Sequence, residues 1–95
     1  MARREGNRLL LDGAVNVDTV PALLLEGATQ LRDGVEIVDF AAVTKVDSTA
    51  VALAMTWLRE ARAAGRTIAF VNLPPAMVNL GRLYGVDGLL PTAER

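Results

Sequence analysis

The chain has 95 residues, a formal net charge of −1, and neither cysteine nor histidine. This excludes disulfide frames, thiol nucleophiles and thiolate metal sites, and removes the side chain most often used as a general base or metal ligand. With 52% hydrophobic but only 4% aromatic residues, residues 1–95 are expected to form one domain around a core of Leu, Val and Ala rather than to stay disordered.

The N-terminal "MARREGNRLLLDG" starts basic, but its apolar run is only Leu9-Leu10-Leu11. A signal peptide needs roughly 7–15 apolar residues and a membrane span about 20, so a cytoplasmic protein is expected. Gly13 separates two apolar stretches, Arg8–Leu11 and Ala14–Val17, which read as a hairpin or bulged strand pair. Asp18 and Thr19 offer cap oxygens to a helix over Val20–Leu31, and Pro21 suits its first turn. Leu24, Ala28 and Leu31 share one face of that helix, and Gly34 closes it in a left-handed conformation. "VEIVDF", Val35–Phe40, reads as a buried strand. A helix from Ser48 to about Ala64 is stopped by Gly65. "TIAFVN", Thr67–Asn72, is a second buried strand, ended by Pro74-Pro75. A third helix is expected over Pro75–Tyr84, with Met77, Leu80 and Tyr84 inward and Gly85 at its end. "VDGLLP", Val86–Pro91, offers a short final strand. The order β-β-α-β-α-β-α-(β) predicts an α/β fold: a small mixed sheet of four or five strands with helices packed against it.

The arginines are scattered, so the concentrated basic face of a nucleic-acid binder is missing. Chemistry gathers instead at one junction, Asp47-Ser48-Thr49, between a strand end and the second helix. Its plain reading is a helix cap, worth about 1 kcal/mol. Its sharper reading is a functional one, because groups that act on partners collect at strand carboxyl ends and helix N-termini in α/β sheets. An esterase elbow fails there, since G-x-S-x-G is absent and no histidine can take the proton. Lys45 is a conceivable base for Ser48, but a lone loop lysine is usually just solvated. The phosphate loop G-x-x-x-x-G-K-[ST] is also missing. No catalytic residue, metal ligand or cofactor is therefore assigned.

At about 100° per residue, Val51, Ala54, Met55, Leu58 and Ala61 of the second helix face the sheet. Thr49, Ala52, Thr56, Arg59, Glu60 and Ala63 lie opposite, flanked by Leu53 and Trp57. The first two turns thus expose small uncharged residues, the composition of a surface meant to be covered.

"LDGAVN" (Leu11–Asn16), "VDFAAVTKVDSTAVAL" (Val38–Leu53) and "GRTIAFVNLPPAMVNLGRLYGVDGLLP" (Gly65–Pro91) together resemble the STAS domain, found in bacterial anti-sigma factor antagonists and in the cytoplasmic tails of sulfate transporters. "L-x-x-L-Y" at Leu80–Tyr84, leading to Leu89–Pro91, looks closest to the MlaB branch, the free-standing STAS subunit of the Mla phospholipid ABC transporter. That resemblance implies a non-catalytic subunit that binds the transporter's ATPase (MlaF-like), meets the membrane only through the complex, and supports outer-membrane lipid asymmetry. It implies partner-binding roles for Asp47, Ser48, Thr49, Ala52, Leu53 and Thr56. The alternative it carries is an anti-sigma factor antagonist phosphorylated on Ser48. Two departures bear on that alternative: Ala50 stands where the regulators usually have Gly, and Ala14–Asn16 replaces their Glu-Leu-Asp, removing a carboxylate near the phosphorylation site.

Overall fold

The computed structural model describes residues 2–83. In chain order they form β1 (Ala2–Glu5), β2 (Arg8–Val15), α1 (Val20–Arg32), β3 (Ile37–Val46), α2 (Ser48–Ala63), β4 (Ala69–Val71) and α3 (Pro75–Leu83). The four strands make one sheet in the order β1-β2-β3-β4. β1 runs antiparallel to β2, while β2, β3 and β4 are parallel. The expected mixed α/β sheet is therefore present. Tyr84, Gly85 and the expected final strand lie outside the described residues. No described helix is long and apolar enough to cross a membrane.

The first hairpin is not where the apolar pattern put it. Arg8–Leu11 and Ala14–Val15 fall on one strand, and the hairpin partner is Ala2–Glu5, joined through Gly6-Asn7 with Glu5 opposite Arg8. Gly6 supplies the left-handed φ of +62° that a two-residue turn needs. β1 carries no apolar alternation because it is an edge strand. It is fastened by Arg4, whose guanidinium donates to Gln30 Oε1 (3.1 Å), Asp33 Oδ2 (2.9 Å) and the Asp33 carbonyl (3.0 Å) at the end of α1. Gly13, at φ +76°, sits not in a turn but at one of two register shifts between β2 and β3.

β3 is longer than Val35–Phe40. It continues to Val46, pairing Ala42 with Asp12 and Val46 with Val15. Its second half is largely exposed, so the apolar signal fades while the ladder continues. β4 is shorter than expected, at three residues.

Alternation along the strands sends Leu9, Leu11, Val38, Phe40 and Phe70 into one core with α1, α2 and Met77 of α3. Phe40 and Phe70 meet edge-to-face, ring centroids 6.2 Å apart. Two helix faces differ from expectation. In α1 the buried stripe is Val20, Leu23, Gly27 and Leu31, with Leu24 and Ala28 at its margin. In α2, Leu53 and Trp57 are core rather than flank, at 1% and 0% exposure, and Met55 is only half-buried.

The reason lies in α1. A Cβ on Gly27 would sit 2.2 Å from Trp57 Cζ2. The glycine opens a slot in α1 that admits the indole, and the two helices close over it.

Candidate docking surface

The N-terminus of α2 is organised by Asp47, which is the N-cap in extended conformation. Its Oδ1 accepts from the Thr49 N–H at 2.9 Å and also from the Thr49 hydroxyl. Its Oδ2 accepts from the Val17 N–H at 3.0 Å, and its own N–H donates to the Val15 carbonyl at 3.3 Å. One carboxylate thus caps α2 and buckles the β2–α1 turn to it. The Thr49 hydroxyl contributes most to holding this carboxyl below the ordinary aspartate range; the Val17 and Thr49 N–H groups add to it, against partial desolvation.

The capping role expected of the junction thus belongs to Asp47. Ser48 is the first helical residue, exposed, and its hydroxyl has no hydrogen-bond partner among the described residues. Thr49 is half-buried with its hydroxyl committed to Asp47. Ala52 is exposed, and Thr56 is half-buried, accepting from Arg59 Nη2 at 3.5 Å. Leu53 does not belong with them: its side chain is inside the core. Ser48, Ala52 and Thr56, four residues apart, form a neutral stripe along α2, with Asp47 and Thr49 as its support.

Residue-by-residue reading missed Val17, which is 63% exposed and tied by its backbone to Asp47. Its turn is held by side chains. Asn16 Oδ1 accepts from the N–H groups of Asp18 (3.0 Å) and Thr19 (3.3 Å), and the Thr19 hydroxyl donates to the Ala14 carbonyl at 2.9 Å. Asp18 and Thr19 were expected to cap α1, but the Thr19 side chain caps nothing. Asn16 does the local work through an Asx turn. The signal was there to find in "AVNVDT", where an Asn precedes an apolar residue at a strand-to-helix turn.

Among the described residues, no three His, Cys, Asp or Glu side chains converge as metal ligands would. The arrangement offers a small, neutral, preorganised surface with one free hydroxyl.

The family model of the Mlab, STAS domain matches residues 1–91. Among solved structures, a putative anti-sigma factor antagonist from Thermotoga maritima is similar with a TM-score of 0.78 at 13% identity, over 100% of this chain and 86% of that one. The anti-sigma factor antagonist SpoIIAA in its unphosphorylated form gives 0.73 at 17% identity, over 100% and 88%. The phosphorylated form of this Bacillus cell fate determinant gives 0.68 at 18%, over 100% and 91%. At these identities the likeness is one of fold. No curated protein matches the chain by sequence.

Proposed function

This chain belongs to the family of MlaB-type STAS domains, and on that footing we propose that it is a non-catalytic cytoplasmic subunit that docks on the ATPase of a phospholipid-trafficking, Mla-type ABC transporter. In this role it supports a machine that maintains outer-membrane lipid asymmetry, and it reaches the membrane only through that complex. The contact is made by the exposed face of α2 from Ser48 to Thr56, with α3 from Pro75 as its neighbour.

The observation that carries this reading is the division of labour on α2. Ala50, Val51, Leu53, Ala54, Trp57, Leu58 and Ala61 are buried in the domain's own core, whereas Ser48, Ala52 and Thr56 lie outside it among the described residues, which supports a role for them in contact. A stripe without charge desolvates cheaply, whereas a charge buried in an interface without a partner is costly. Co-purification with the co-expressed ATPase tests it. The wild-type domain should be retained, and Thr56→Arg should be lost.

A second reading is a regulatory switch phosphorylated on Ser48. It is supported by the free, exposed hydroxyl at a helix N-terminus, where phosphate is well received, and by the likeness to SpoIIAA, which occurs in both phosphorylated and unphosphorylated forms. Asn16, in place of the regulators' carboxylate, speaks for constitutive docking. Phosphoserine at position 48 in protein taken from its native host would favour the switch.

A further inference from the structure

On the sheet face turned away from the helices sits one buried charge. Asp39, the third residue of β3, is 6% exposed. Its Oδ2 accepts from Arg8 Nη1 of β2 at 2.8 Å. Its Oδ1 accepts from the Ala41 N–H at 2.8 Å and from Asn72 Nδ2 at 3.0 Å. Burial pushes this carboxyl up, but the three donors outweigh it and hold it below the ordinary range. The group is a committed anion.

Its position matters more than its charge. The β3–β4 ladder ends at Asp39 opposite Val71, and the next residue, Asn72, leaves the sheet with φ +58°. From there Leu73 and Pro74 lead directly into α3. A cleft of about 440 Å³ opens between Phe40, Ala41 and Val43 on one side and Leu73, Pro74 and Pro75 on the other. The exit chain is therefore not zipped onto the rest of β3. In α3, Met77 and Gly81 are the buried residues, with Leu80 partly buried against the core. Of these only Met77 is a large side chain sealed inside.

We propose that Arg8, Asp39 and Asn72 form a latch that fastens the start of the β4–α3 connection to the sheet, so that the seating of α3 on α2 depends on the Asn72 carboxamide. Arg8 holds the carboxylate, the carboxylate holds Asn72, and Asn72 sets where the chain turns off. The latch sits on the face opposite the helices yet governs a helix that packs against α2. It extends the docking reading but does not depend on it, since its readout needs no partner.

Asn72→Gly tests the latch because glycine takes a φ of +58° freely while removing the side chain that carries the carboxamide. If Asn72 matters merely as a left-handed turn residue, that variant should be neutral or better. Under the latch, amide hydrogen exchange of Met77–Leu83 should speed up roughly tenfold, as expected when a hydrogen bond to a charged group is lost, while β2 and β3 keep their protection. Asn72→Asp, which sets a second carboxylate against Asp39, should loosen the same amides at least as much. Unchanged or slower exchange in α3 of Asn72→Gly would overturn the proposal. So would an even loss across β2, β3 and α3, which would mark general weakening rather than release of one element.

Discussion

Replacing Gly27 by alanine adds one methyl group at the closest approach of α1 and α2. On an exposed helix the change would stabilise by about 1 kcal/mol, because glycine is a poor helix former. Here the new Cβ would lie 2.2, 2.4 and 2.6 Å from Cζ2, Cε2 and Nε1 of Trp57. Ordinary contact begins at 3.4 Å, so the nearest pair must part by 3.4 − 2.2, about 1.2 Å. The indole cannot flex away as a lysine tip could, being rigid and fully buried. Either the helices separate or the ring leaves its slot. Overpacking of this kind costs about 1–3 kcal/mol and occasionally more. Three contacts under 3 Å against a rigid ring put this clash in the upper part of that range, about 2–3 kcal/mol, so after the gain in helix propensity a net loss of about 1–2 kcal/mol is expected, lowering Tm by about 5–15 °C in a domain of this size. Thermal melting by circular dichroism reads it, and the fluorescence of the only tryptophan reports on the slot itself. The same contact sets the sign of a double-mutant cycle. Trp57→Leu removes all three clashing atoms, so Gly27→Ala should cost little or even stabilise in that background. A Gly27→Ala protein melting at or above the parent temperature would refute the packing argument. An equal loss in both backgrounds would refute it as well.

Asp47→Ala should lower Tm and speed hydrogen exchange at Val17 and Thr49 together, because one carboxylate serves both the cap and the turn; loss at Thr49 alone would show that the two are independent. Acid should unfold the domain through Asp39 and Asp47. Both carboxyls are depressed in the folded state, so their stabilisation is complete above the unfolded value of about 3.9. It fades as pH falls through their lower folded values. Urea midpoints measured from neutral pH down to about pH 2 should drop in that window, and less steeply in an Asp39→Asn protein; an identical slope would exclude Asp39 from the acid response. Thr56→Arg should leave the folding stability within about 0.5 kcal/mol of the parent while removing the protein from the ATPase complex; retention on the ATPase would show the docking face to be misplaced.

The elements most legible in the sequence are those that carry their own punctuation. α2 was bounded by its polar junction and by Gly65, which has φ +73°, and it spans Ser48–Ala63 almost as expected. Gly34 likewise ends α1, at φ +110°. β1 was invisible because an edge strand of Ala-Arg-Arg-Glu owes its place to Arg4 and a two-residue turn, not to hydrophobicity. The face of α1 was misjudged because periodicity ranks residues by size, whereas its critical contact is a glycine. Trp57 looked marginal for the same reason: its pocket is made by another helix, and no projection of α2 alone contains it. At the candidate site the junction itself could be read, but not its division of roles. Sequence grammar allows either Asp47 or Ser48 to cap. Only the course of the chain brings Val17 against Asp47 and leaves the Ser48 hydroxyl without a hydrogen-bond partner among the described residues. Asp39 offered a fainter signal, an acid inside an apolar strand with Arg8 on the neighbouring one.

The docking role rests on the Ser48 hydroxyl, exposed at the start of α2. Ser48→Asp places a carboxylate at the first position of α2, where the helix dipole favours it by about 0.3–1 kcal/mol and Asp47 next door partly opposes it. The free domain should therefore melt close to the parent. Ser48→Thr keeps the hydroxyl and should behave as wild type throughout. The direct measurement is pull-down of the transporter ATPase by the parent, Ser48→Thr and Ser48→Asp domains, with melting curves of each free domain alongside. Capture by the first two is expected, with loss for Ser48→Asp although that domain stays folded; undiminished capture by Ser48→Asp would rule out Ser48 as a contact residue.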